Sequence, residues 1–212
     1  GSIDVTGASG RTGPASRNLT GEWDAWSGTL GAEWSPDTST MAYAKYSRGY
    51  KSGGFNLGAL AERPSVEPET LDAYEIGVKK NFGTTLQANA AFFYYQYEGA
   101  QVPVTVVRNS VNQQEFINIA ESESIGAELE VVWAPIDQVR VMLNYSYLDA
   151  TIEKACCVVN SADLMARDVN ANPSGPLIGG RQGQDLSGNR LPSSPKNKLA
   201  LNGTYRFAFE PG

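Results

Sequence analysis

The sequence predicts an all-β fold: an antiparallel up-and-down transmembrane β-barrel, present as an incomplete barrel segment of about seven or eight strands. Three observations carry this reading. Segments of roughly 10 to 15 residues alternate apolar and polar positions with period two. The breaks between them run strictly short, long, short, long. The short ones are 35–39, 81–83, 134–138 and 210–212; the long ones are 51–68, 98–117 and 152–195. Tight turns at one end and long loops at the other suit a barrel of the bacterial outer membrane. Length is the third: ~9 to 11 residues cross a bilayer at the usual tilt, whereas soluble strands more often run about 5 or 6.

Residues 1–21 are rich in Gly, Ser, Thr and Asn and read as a loop or partial strand, with a short strand around 3–6. Residues 22–212 read as one partial barrel domain. Its first strand, 22–34, places Trp26, Gly28, Leu30, Ala32 and Trp34 on one face. The second, 40–50, sets Ala42, Ala44 and Tyr46 against Lys45 and Ser47, with Met41 and Tyr43 sharing the polar side. Strand 70–80 alternates Tyr74, Ile76 and Val78 with Glu75, Gly77 and Lys79. Strand 85–97 aligns Leu86, Ala88, Ala90, Phe92 and Tyr94. Strand 123–133 sets Ile125, Ala127, Leu129, Val131 and Trp133 against Gly126, Glu128 and Glu130. In 139–148, Val139, Val141, Leu143, Tyr145 and Tyr147 oppose Arg140, Asn144 and Ser146. In 198–209, Leu199, Leu201, Gly203, Tyr205 and Phe207 oppose Lys198, Asn202, Thr204 and Arg206. The gap at 134–138 predicts a hairpin joining two neighbours.

The polar faces decide what kind of sheet this is. Glu75, Lys79, Glu128, Glu130, Arg140 and Lys198 cannot line a sealed core, because isolated buried charges are too costly. They suit a wet lumen or solvent. The apolar faces end in aromatics, as lipid-facing surfaces do at both interfaces. A soluble antiparallel sheet with one solvated face alternates in the same way, so a secreted β-domain binding carbohydrate through Trp23, Tyr50 and Phe55 stays open. Mean hydropathy is −0.32, and no apolar run reaches the ~18 residues of a transmembrane helix. A net charge of −6 argues against nucleic acid as a general partner. The absence of histidine removes the commonest general base and metal ligand.

Glu128 and Glu130 lie about 7 Å apart on one strand face, a spacing compatible with paired-carboxylate chemistry. No nucleophile or metal constellation accompanies them, so a wall pairing with Arg140 on the next strand is the stronger expectation, and no enzyme, cofactor or metal site is expected. Cys156 and Cys157 are adjacent in the longest loop. A vicinal disulfide between them would be strained, since neighbouring Cα atoms are ~3.8 Å apart; a partner cysteine elsewhere is the other reading.

Four stretches resemble one family. Residues 43–56 read YAKYSRGYKSGGFN, residues 66–79 VEPETLDAYEIGVK, residues 123–130 ESIGAELE and residues 191–198 LPSSPKNK. In this order and spacing they resemble the barrel of TonB-dependent outer-membrane receptors, in its C-terminal part, over about residues 23 to 209. The resemblance implies a barrel of about 22 strands with a plugged lumen. It implies import of an extracellular ligand, a ferric siderophore or other scarce nutrient, with energy from the TonB complex. The plug and the TonB-pairing box are not visible in the sequence, and both ends read as cut. The ligand contacts expected are Arg48, Tyr50, Lys51, Phe55 and Asn56, a cationic, aromatic rim for an anionic chelate. The competing reading places Arg48 and Lys51 beside lipopolysaccharide phosphates or simply in solvent. The glycine, serine and asparagine content of the long loops predicts movement.

Overall fold

A computed structural model describes residues 2–5, 15–56, 64–108, 111–155, 177–178, 181–182 and 185–207. The strands, in chain order, are β1 (Ser2–Val5), β2 (Ala15–Asn18), β3 (Gly28–Asp37), β4 (Thr40–Lys51), β5 (Gly54–Phe55), β6 (Ser65–Val66), β7 (Glu69–Phe82), β8 (Leu86–Arg108), β9 (Val111–Ile136), β10 (Val139–Lys154), β11 (Leu177–Ile178), β12 (Arg181–Gln182) and β13 (Asn197–Tyr205). Seven of them form one sheet in the order β13-β10-β9-β8-β7-β4-β3. Every pairing in it is antiparallel. This is the expected meander, unclosed, with β3 and β13 at its edges. Leu143 stands opposite Val131 across the hairpin at Asp137 and Gln138.

Register sorts the side chains into two faces, because directly paired residues share one. One row runs Trp34, Ala42, Val78, Ala90, Leu129, Tyr145 and Leu199. This apolar face is bare: Leu30 is 75% exposed, Leu201 71% and Ile76 59%. The buried apolar residues among those described are Val66, Ala150, Ile152 and Ala155, all outside this face. A soluble sandwich would bury such a face on a second layer. Its exposure is what lipid contact requires.

Aromatics bound the apolar band. At the loop end Tyr46, Tyr74 and Tyr94 stand in one register row, with ring centroids 5.1 and 6.3 Å apart. The Tyr46 hydroxyl donates to Asp72 at 2.5 Å and that of Tyr94 to Glu123 at 2.6 Å. Both phenols thus place an apolar ring in the band and a polar tip above it, the arrangement that favours tyrosine at a membrane interface. At the turn end stand Trp34, Phe82, Trp133 and Tyr205, all exposed. From Tyr74 to Phe82 is about 27 Å along the strand, or about 20 Å of depth at the usual tilt of ~40°.

Three expectations need correction. The long loop placed at 98–117 is strand: β8 and β9 continue as a ribbon paired to Arg108↔Val111. Gly99, at φ 66°, and Pro103 lie within this span. The ribbon absorbs both, the glycine as a local kink and the proline opposite Phe116. The first strand begins at Gly28 rather than 22. Residues upstream leave β4, and Trp23 packs on Phe55 with centroids 5.2 Å apart. Finally, no ion pair joins Arg140 to Glu128 or Glu130 among the described residues. Glu130 stands opposite Asn144 and Glu128 opposite Ser146, so Arg140 lies four or more positions along the strand, beyond reach.

Candidate functional site

The loop end of the sheet is where the chain builds outward. The connection from β4 to β7 carries the β5–β6 pair, joined by Gly54↔Val66 and Phe55↔Ser65. The β8–β9 ribbon rises beside it. On the far side, the segment returning to β13 lies along upper β10. Leu191 N–H donates to Ala150 O at 2.9 Å, and Ile152 N–H to Asn189 O at 2.8 Å. That return bends sharply after Pro192, with Ser193 at φ 59°. Asp149 draws it in through Lys196 at 3.4 Å and Arg190 at 3.8 Å. These contacts bury Ala150, Ile152 and Ala155.

The five expected ligand contacts do not form one rim. Arg48 and Tyr50 share the face of Tyr46, because Arg48 pairs with Asp72 and Tyr50 with Thr70. Arg48 bonds the Asp72 carboxylate at 2.7 Å and covers the Trp26 ring at 5.1 Å from its centroid. Its charge is neutralised within the sheet, just above the tyrosine belt. Lys51 is on the opposite face, 3.7 Å from Glu69 and half exposed. Phe55 packs on Trp23. Asn56 is buried, and its amide is committed to backbone: Nδ2 donates to Phe116 O at 2.9 Å, and Oδ1 accepts from Phe116 N–H at 2.7 Å. The alternating faces of β4 split a cluster that looked continuous in sequence.

Glu75, Lys79, Glu128, Glu130, Arg140 and Lys198 all share the polar face, by register. Glu75 is the best connected. It accepts the Tyr43 hydroxyl at 2.7 Å and pairs with Lys45 at 3.3 Å. Lys79 lies over the Tyr43 ring at 5.8 Å. Sequence reasoning put Tyr43 and Lys45 on the polar side of β4 but did not join them to Glu75; the register does. Cys156 and Cys157 lie outside the described residues.

Aromatic rings cover small residues across this face. Tyr43 lies over Gly77, its register partner, and Phe93 over Gly126. Phe93 and Tyr95 stack at 4.7 Å. Among the described residues no three acidic, cysteine or histidine groups gather as a metal site.

An unclosed antiparallel meander, apolar and banded by aromatics on one face and charged on the other, defines a transmembrane β-barrel wall. The family description "TonB dependent receptor-like, beta-barrel" matches residues 2–212. The chain belongs to that family, which is one of transport receptors. Two solved structures share the fold. The siderophore receptor PiuA from Acinetobacter baumannii aligns with TM-score 0.62 and 21% identity, over 95% of this chain and 26% of the receptor. The ferric yersiniabactin uptake receptor FyuA from Yersinia pestis aligns with TM-score 0.61 and 18% identity, over 90% of this chain and 24% of the receptor. The chain therefore spans about a quarter of the length of these receptors.

Proposed function

We propose that the chain is a segment of a receptor in the bacterial outer membrane. The receptor binds an extracellular ligand, a ferric siderophore or another scarce nutrient, and imports it with energy from the TonB complex. The observation that carries this reading is the asymmetry of the sheet. Its apolar face is bare and banded, as lipid contact requires, while among the described residues the long connections stand at one end and tight turns at the other. That the similar folds include a siderophore receptor and a ferric yersiniabactin uptake receptor supports the ligand class. In this reading the face bearing Glu75, Lys79, Glu128, Glu130, Arg140 and Lys198 lines the lumen. Lys51 offers an exposed cation and Phe55 a half-buried ring for ligand contact. Arg48, clamped by Asp72 and Trp26, anchors the outer wall at headgroup level.

The test uses the full-length receptor in outer membranes. Ferric siderophores are offered with and without a functional TonB complex. Uptake is expected to require TonB, and replacing Lys51 and Phe55 together by Ala is expected to weaken binding about tenfold, or about 1.4 kcal/mol. Uptake that persists without TonB removes the energy coupling. Affinity unchanged for every transported ligand reduces Lys51 and Phe55 to solvated surface.

A further inference from the structure

The β5–β6 loop and the β8–β9 ribbon are stitched together by amide side chains in a reciprocal pattern. Asn56, on the loop, bonds both the N–H and the C=O of Phe116 on β9. Asn118, on β9, does the converse: its Oδ1 accepts from Glu67 N–H at 2.9 Å and its Nδ2 donates to Glu67 O at 2.9 Å. Each amide completes a backbone donor and acceptor at once, as a neighbouring strand would. Gln101 on β8 adds a third stitch. Its Nε2 lies 2.9 Å from both Ser52 O and Glu67 O, and its N–H donates to Glu69 Oε2 at 2.9 Å.

The local geometry explains why these bonds are needed. Both backbone groups of Phe116 go to Asn56, so they point away from Pro103, its register partner on β8. The β10 ladder ends at Lys154↔Glu121, so above Glu121 the edge of β9 away from β8 has no strand partner among those described. An unpaired ribbon edge is a site for mispairing, and Asn56 caps it.

We propose that Asn56 and Asn118 are positioning residues, which fasten the loop bearing Lys51 and Phe55 to the ribbon as one extracellular body. This deepens the receptor reading and rests on it for the ligand, though not for the coupling itself. Because the two asparagines reach across in opposite directions, loss of either loosens both sides. Phe55, held next to Asn56, then loses its fixed place even though it keeps its own contacts.

Hydrogen–deuterium exchange on the full-length receptor tests this without any ligand. Amides of Phe116 and Glu67 are expected to be protected together. Asn56→Ala should speed exchange at Phe116 and also at Glu67, whose own partner Asn118 is untouched, by at least about tenfold. Asn118→Ala should do the same in reverse, while the amides of Ile76 and Val78 in the barrel wall stay slow and show that the variants are folded. Asn56→Asp keeps the acceptor for Phe116 N–H but not the donor, and should show partial loss at both sites. Acceleration confined to the residue bonded to the mutated asparagine would overturn the proposal, since loop and ribbon would then open independently. Rapid exchange of both amides in the unaltered receptor would overturn it equally. If exchange follows the proposal but Lys51 and Phe55 prove irrelevant to ligand binding, the one-body rim stands and the ligand assignment fails.

Discussion

Two glycines on the polar face serve the same geometry with different tolerance. A Cβ at Gly77 would sit 2.5 Å from the Tyr43 ring, a side chain that can swing aside by releasing Glu75. A Cβ at Gly126 would press on the Phe93 ring and also lie 2.5 Å from the backbone oxygen of Tyr147, which cannot move without distorting the β9–β10 ladder. Gly126→Ala is therefore expected to destabilise the receptor by about 1–3 kcal/mol, and Gly77→Ala by less. Urea unfolding midpoints of the two variants check the order; equal losses would show that the Tyr147 carbonyl does not set the limit.

Asp37 closes the β3–β4 turn, beyond the exposed Trp34. Its carboxylate accepts the Ser39 hydroxyl and the Ser39 N–H, each at 2.7 Å, and lies 3.6 Å from Lys80. The Ser39 hydroxyl bond is the largest cause holding its pKa down at about 2, against an ordinary 3.8. A depressed carboxylate pKa means the turn's contribution is present above about pH 4 and is lost as pH falls toward about 2. Following the Asp37 carboxyl by carbon NMR should show this low midpoint, and Ser39→Ala should return it toward 3.8. A normal midpoint in the unaltered protein would remove the turn's acid sensitivity.

At the scale of the element, period-two alternation gave the seven long strands and their order, because a strand with one lipid face and one wet face must alternate. Glu128, Glu130 and Arg140 share one face for the same reason. What alternation does not encode is which residues stand opposite one another. The tight hairpin at Asp137 and Gln138 puts Glu130 opposite Asn144, four positions from Arg140, so the expected Arg140 pairing failed. The ribbon above the membrane was also illegible. Gly99 and Pro103 carry loop signals, yet each fits an extended ribbon at a kink or beside Phe116. The candidate rim was read from neighbours in sequence, and the pleat sent Arg48 and Lys51 to opposite faces.

Depth along an element sets the cost of a charge on the apolar face. Leu129, opposite Ala90 and Tyr145, lies mid-band. Leu129→Lys is expected to cost ~2 to 4 kcal/mol, whereas Tyr205→Lys, at the turn end, should cost ~0 to 1. Folding titrations of the two variants in lipid vesicles measure the difference. Equal penalties would mean that the band is not centred on Leu129.

For the whole molecule, the strongest consequence is that one sheet separates two solvents. No second layer of the described chain packs over Leu129, Val131 and Leu143, which keep exposed or half-exposed side chains, and pairing fixes Glu128, Glu130 and Asn144 on the other side. Spin labels placed singly at these six positions in the full-length receptor, with Cys156 and Cys157 replaced by Ser, should report a period-two pattern in membranes. Oxygen, which concentrates in lipid, should relax labels at 129, 131 and 143 more than those at 128, 130 and 144. A lumen sealed by other parts of the receptor would lower the oxygen reading at the even positions, yet would leave the oxygen maximum on the odd side. The phase also constrains the hairpin: residues 131 and 143 are register partners, so their labels should lie within about 3 Å of each other in depth at the usual tilt. Oxygen maxima at 128 and 130 would mean that the sheet faces the other way, with its charges toward lipid, where each costs ~2 to 4 kcal/mol at the midplane. A flat profile across all six positions would place the sheet in one solvent and end the transmembrane reading.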